Sequence, residues 1–241
     1  MLQKLKFPSE SRKLLILLLS ADMGYIFLHI LNRIDQLTGW LPEFGRDPFS
    51  ISFDLGIGES AQYMKEFWIA GLFAWLVFRK RQRAFLGWAF LFFYFLLDDM
   101  LSFHENLSVG LANLTGFSAQ TVLFANLRVK DLSELAVSAI IGVFLLSLIG
   151  IAYLRSKPGT KIVFHSLFVL LAILLFFGVG FDVLDRFFDS QILKGIFGLA
   201  EDGGEMLAMS LIVWYVYVLS DKEIEAHEQL PPPQSGLKPV S

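Results

Sequence analysis

AFLGWAFLFFYFLLDDMLSFHE, residues 84–105, decides how the rest of the chain is read. It follows a basic turn, Arg79-Lys80-Arg81-Gln82-Arg83, runs through an unbroken apolar and aromatic stretch, and ends on Asp98, Asp99, His104 and Glu105. Crossing a ~30 Å hydrocarbon core takes roughly 20 mostly apolar residues, so the stretch predicts a membrane-crossing helix with carboxyls near one end. At ~1.5 Å per residue, Asp98 and Asp99 stand roughly 22 Å from Arg83, below the far face of the core rather than on it. Carboxylates are costly at that depth, which marks them as candidates for function.

Outward from this segment the same pattern recurs. The chain has 241 residues, 55% of them hydrophobic, with 25 Phe and a mean hydropathy of +0.58. That is too apolar for an ordinary soluble domain. Six stretches are long enough to span, at about 13–34, 60–78, 84–105, 132–154, 161–183 and 200–219. Runs this long satisfy their own backbone as helices, and the short alternating segments of a membrane barrel are absent. The first stretch follows Lys4, Lys6, Arg12 and Lys13 as a signal peptide would, but it contains Asp22 and His29 and no small-residue cleavage site follows it. It is read as a retained helix. With no cysteine there is no disulfide, thiolate metal site or Cys nucleophile. The predicted fold class is therefore all-α: a polytopic membrane protein whose six transmembrane helices form three hairpins over residues 1–220, with a disordered cytoplasmic tail at 221–241.

Charge orients this bundle. Lys and Arg concentrate in the N-terminus, the 79–83 turn, the turn with Arg155, Lys157 and Lys161, and the tail with Lys222 and Lys238. The positive-inside rule places those segments and both termini in the cytoplasm of an inner membrane. Acidic residues gather at the other ends of the helices and give that side a negative mouth, which concentrates cations. The first outer connection, roughly 36–58, carries Trp40, Pro42, Phe44, Pro48 and Phe49 and suits an interfacial loop or a lid.

The acids also repeat. The second helix of each hairpin is predicted to open on a similar signature: Glu59-Ser-Ala-Gln62, Asp131-Leu-Ser-Glu134 and Asp202-Gly-Gly-Glu205. The helix before each ends on polar residues at i, i+3: His29 and Asn32, Asp99 and Ser102, Asp182 and Asp185. Residues so spaced share a helix face, and parallel repeats of this kind predict a pseudo-threefold bundle with the faces converging. The expected metal-ligand set is Asp98, Asp99, His104, Glu105, Asp131, Glu134, Asp182, Asp185, Asp202, Glu205, Glu59, Gln62 and His29. Oxygen-rich ligation of this type suits Ca²⁺, Mg²⁺ or Mn²⁺, and His29 or His104 would tip it toward Zn²⁺. The Glu-x-x-His pairs of di-iron bundles and the His-Glu-x-x-His zinc motif are absent. Two plainer readings compete: acids in a first helical turn act as caps, and acids deeper in the bundle form salt bridges.

Phe53-Asp54-Leu55, Glu59, an apolar helix, a basic turn, Leu97-Asp98-Asp99 and His104-Glu105 resemble a widespread bacterial group of uncharacterised multi-pass membrane proteins with a Leu-Asp-acid…His-Glu segment. The resemblance covers about residues 50–107 and implies a bacterial inner-membrane setting. No activity is established for that group, so no catalytic residue is carried over from it.

Three functions are open on this reading. The first is binding or transport of a divalent cation or protons, because carboxylate rings with a negative vestibule serve cation selectivity. The second is a metal-dependent membrane enzyme on a lipid-type substrate, with Asp99, His104 and Glu134 as base, ligand and acid. The third is a non-catalytic sensor or assembly subunit. The partners expected are the lipid bilayer and a cation. Nucleic acid is not expected, because the basic residues sit in short turns typical of topology signals.

Overall fold

Helix accounts for nearly everything in the computed structural model, which describes residues 9–41, 43, 49–52, 56–114, 118, 120–124, 127–185, 188 and 190–228, with backbone alone at 105, 123, 124, 127, 182, 185, 191, 192 and 222–228. In chain order these form α1 (Ser9–Thr38), α2 (Ile57–Phe78), α3 (Leu86–Leu101), α4 (Phe103–Leu114), α5 (Val129–Leu154), α6 (Pro158–Leu175), α7 (Phe181–Asp185) and α8 (Gln191–Glu228). A π-helical segment, Phe176–Gly180, joins α6 to α7. One small antiparallel pair, Val122–Phe124 with Leu127–Arg128, precedes α5. Five stretches are long and apolar enough to cross a membrane: Ser9–Thr38, Arg83–Leu101, Val129–Leu154, Pro158–Gly180 and Leu193–Asp221. The protein is thus an all-helical membrane protein. α2 has 22 residues but is not among the five; it carries Glu59, Lys65 and Glu66, and the last two are buried in the bundle.

α8 is the central helix, packed against α1, α2, α6 and α7, while α2 lies along α3 and α5 rests on α3 and α4. The basic turns at 79–83 and 155–161 gather at one end, and beside them the core is densely aromatic. Phe73 stacks between Phe85, Trp88 and Phe92 at ring separations of 5.9, 6.2 and 6.0 Å, and Phe164 closes on Phe85 at 5.7 Å. All five rings are fully buried. Gly87 sets how closely α3 meets α5: a Cβ there would stand 2.8 Å from the Ile149 side chain.

Three features differ from expectation. The helix predicted over 84–105 ends at Leu101, because Ser102 takes a left-handed conformation (φ 48°) and starts α4, which carries His104 and Glu105 off at a new angle. The third acidic signature does not open a helix. α8 begins at Gln191, so Asp202 and Glu205 lie about three turns inside it. Gly203 and Gly204 serve close helix packing, as small residues in a membrane helix are expected to, Gly203 on Ile26 and Gly204 on the Phe177 ring. Finally, α8 continues to Glu228, past the point where a tail was expected; residues 229–241 lie outside the described set. Among the described residues, α4 and the strand pair stand between α3 and α5, and the π-helical segment and α7 between α6 and α8.

Candidate functional site

Away from the basic turns, residues of α2 to α8 and the π-helical segment line a cavity of about 500 Å³. Its character changes along its length. One end is lined by Gln62, Glu66, Asp98, Asp99, His104, Asp131, Glu134 and Glu205, and the remainder by Leu91, Leu146, Leu171, Leu174, Val179 and Met209, among others. The spacing explains the polar end. Gln62 and Glu66 are four residues apart on α2, Asp98 and Asp99 end α3, and Asp131 and Glu134 sit in the first turns of α5, so each helix offers its acids to the same side.

Most of these acids have partners. Asp98 accepts the His104 backbone N–H at 2.8 Å and pairs with His104 Nδ1 at 2.9 Å, which the turn at Ser102 makes possible by folding α4 back on α3. The Tyr94 hydroxyl is a further neighbour of Asp98. Asp131 closes a capping box, accepting the Arg128 backbone N–H at 2.8 Å and its guanidinium at 2.9 Å. Lys130 pairs with Glu134 at 3.0 Å. Glu205 lies directly on the backbone of Gly178 in the π-helical segment, where any Cβ would strike its carboxyl.

Glu66 is different. Only 1% exposed, it faces the Asp99 carboxyl, with Asp98 and Glu205 as further acidic neighbours, and its Oε2 has no hydrogen-bond partner. Gln62, one turn away and 9% exposed, has an unpartnered Oε1. Buried polar atoms are nearly always bonded, and neither acceptor has a protein partner here; the Tyr94 hydroxyl on the same cavity is likewise unpartnered. The nearby cations are engaged: Lys65 with Asp22, Lys130 with Glu134, and Arg128 with Asp131. Two carboxylates in contact in a buried site repel each other when both are charged.

Over residues 14–220 the sequence matches the family model described as Domain of unknown function (DUF8692). The chain belongs to the DUF8692 family. No curated protein and no solved structure matches it. The DUF8692 match runs from α1 through α8 and so takes in every cavity residue.

Of the residues singled out from the DUF8692 sequence, the cavity brings together Gln62, Asp98, Asp99, His104, Asp131, Glu134 and Glu205. Others go elsewhere. His29 is buried on α1 and pins the first outer loop, accepting the Ile51 N–H at 3.2 Å on Nδ1 with Ser50 Oγ at 3.3 Å. Asp202 accepts a hydrogen bond from Ser52 in the same loop. Glu59 sits beside Tyr63 and does not line the cavity. The side chains of Glu105, Asp182 and Asp185 lie outside the described residues, as do Asp54, Pro42, Phe44, Pro48 and Asp189. Among the described residues no three His, Asp or Glu side chains are grouped to hold a metal ion.

Two contacts lie outside the expected ligand set. Glu66 shares a stripe with Glu59 and Gln62 by helical spacing, as the sequence indicates, but the expected ligands followed the repeated signature and left it out; its contact with Asp99 is tertiary. Asp22 and Lys65 form a buried ion pair at 2.5 Å; Ser210 donates to Asp22 at 2.6 Å and Lys65 to the Met206 carbonyl at 3.0 Å. A lone acid on α1 and a lone lysine on α2 hinted at such a pair, but sequence alone does not supply the contact.

Proposed function

We propose that this protein is a six-span inner-membrane protein, α2 included, with both termini cytoplasmic, and that it takes a cation into the acid-lined end of its cavity from the extracytoplasmic side. The observation that carries this is the Glu66–Asp99 pair with the open acceptors Glu66 Oε2 and Gln62 Oε1 beside it. Acceptors and negative charge in a place sheltered from water select for a positively charged donor. The proton is the simplest such ion, and Ca²⁺, Mg²⁺, Mn²⁺, Zn²⁺ and small ammonium ions are the others to try. Binding is favoured over conduction because the basic half of the bundle is filled by Phe73, Phe85, Trp88, Phe92 and Phe164.

An enzymatic reading has one specific support. The Asp98–His104 contact orients an imidazole on the cavity wall, as a general base requires, next to a space that suits a lipid-type substrate. Both readings place the ligand in the same cavity.

The test is thermal unfolding in phosphatidylcholine nanodiscs, with chelator and then with each divalent ion or methylammonium at millimolar concentration, at pH 6 and pH 8. A ligand at 100 times its Kd stabilises by about 2.7 kcal/mol. At least one cation should raise the melting temperature of the wild type and leave Glu66→Gln and Asp99→Asn unmoved. Identical curves under every condition would end the cation reading.

A further inference from the structure

The cavity is larger than a metal ion or a proton needs, and its long axis is greasy. Its volume of about 500 Å³ falls within the ~300–1,000 Å³ usual for organic ligands. Four of its lining residues keep much of their surface accessible: Leu135 (48%), Leu146 (36%), Leu175 (43%) and Val179 (45%). They belong to α5, α6 and the π-helical segment. α5 and α6 meet at their basic ends, where Tyr153 and His165 Nε2 are 2.8 Å apart, and are otherwise among the least closely packed neighbours in the bundle. The seam between α5 and α6, two long apolar helices in sparse contact, is therefore the place where a bilayer ligand would enter. Gly142 keeps the α5 wall low, since a Cβ there would meet nothing within 4 Å.

We propose that the occupant is a single-chain alkylammonium amphiphile that enters from the bilayer between α5 and α6, with its ammonium on Glu66 and Asp99 and its chain along the leucine wall. The proposal rests on the cation reading above and adds the chemical class of ligand. Charge complementarity selects the head. Phosphate and carboxylate heads are repelled by Glu66, Asp99 and Glu205, and a hydroxyl head satisfies the acceptors but leaves the negative charge unpaired. The ammonium supplies donors for both Glu66 Oε2 and Gln62 Oε1. A metal ion would need ligands grouped around it, and no such group occurs among the described residues. The apolar wall selects a chain, because burying methylene groups there gives a long amine an advantage that a short one lacks.

The experiment is calorimetric titration of the full chain in phosphatidylcholine nanodiscs with octylammonium, methylammonium, 1-octanol and octanoate. Octylammonium should half-saturate the protein at a concentration at least tenfold below methylammonium, with octanol and octanoate giving only the heat seen in empty nanodiscs. Gly142→Leu, which grows into open space, should weaken octylammonium at least tenfold and leave methylammonium unchanged. Glu66→Gln should abolish both, and Asp99→Asn serves the same purpose if Glu66→Gln does not fold. Equal affinity for the two amines, or binding of metal ions alone, would overturn the amphiphile and leave the cation reading standing. Octanol binding as tightly as octylammonium, or no amine or metal binding together with melting curves that are identical at pH 6 and pH 8, would overturn both.

Discussion

Asp22 receives two donors deep in the bundle, Lys65 on one oxygen and Ser210 on the other, and with the Lys65 bond to the Met206 carbonyl this ties α1, α2 and α8 together. Such a pair contributes little net stability relative to apolar residues, because desolvating both charges costs about as much as their attraction returns. Breaking it is another matter. Asp22→Ala strands an ammonium that is 4% exposed, and removing one partner of a buried pair costs about 3–5 kcal/mol. Chemical unfolding in mild detergent should show that loss, and Asp22→Ala combined with Lys65→Met should recover most of it. A double variant as unstable as the single one would mean that the pair does more than neutralise itself. Asp22 and Lys65 also explain why this cluster is distinct from the cavity: Lys65 and Glu66 are consecutive on α2 and point to different neighbours, one to α1 and α8, the other to Asp99 on α3.

At the scale of elements, two glycines do similar steric work with different consequences. Gly87 lets α3 approach Ile149 of α5, far from the acids, whereas Gly178 lets the Glu205 carboxyl rest on the π-helical backbone. Single π-turns in helices are often found at functional sites, and this one lies on the cavity wall. Both Gly87→Ala and Gly178→Ala should lower stability by about 1–3 kcal/mol through overpacking. Only Gly178→Ala should also reduce the stabilisation by cation, because it displaces Glu205; equal responses in the two variants would detach the π-helical segment from the site. These elements also show what sequence could and could not give. The long apolar helices were legible because their length and composition admit one solution in lipid. So was the sharing of a face by Gln62 and Glu66 on α2 and by Asp131 and Glu134 on α5, because helical spacing fixes it. The break at Ser102 was not legible, since it turns on a single left-handed residue that carries no glycine or proline. Nor was the early start of α8 at Gln191, because Asp202 and Glu205 match an acidic first turn while lying inside the helix. The destination of His29 and Asp202 depended on where the first outer loop folds back, a tertiary matter that local pattern does not encode.

Over the whole molecule, the proposed orientation rests on the segregation of charge. The basic turns at 79–83 and 155–161 share one end with the aromatic core, and the acids share the other, so a reporter fused after Ser220 should read as cytoplasmic and one inserted at Gln120 as extracytoplasmic. The reverse pattern would invert the bundle and put the cavity on the wrong side for periplasmic cations. The account as a whole depends on the claim that the Glu66–Asp99 end of the cavity accepts a positive charge from outside the chain. The most direct measurement is equilibrium titration of the nanodisc-embedded protein with a cation series, followed by the same titration of Glu66→Gln at matched folding. The account predicts saturable binding of at least one cation by the wild type, with loss of that binding in the variant while its melting temperature without ligand stays close to the wild type. Saturable binding of equal strength in Glu66→Gln, or no saturable binding in a well-folded wild type, would contradict it.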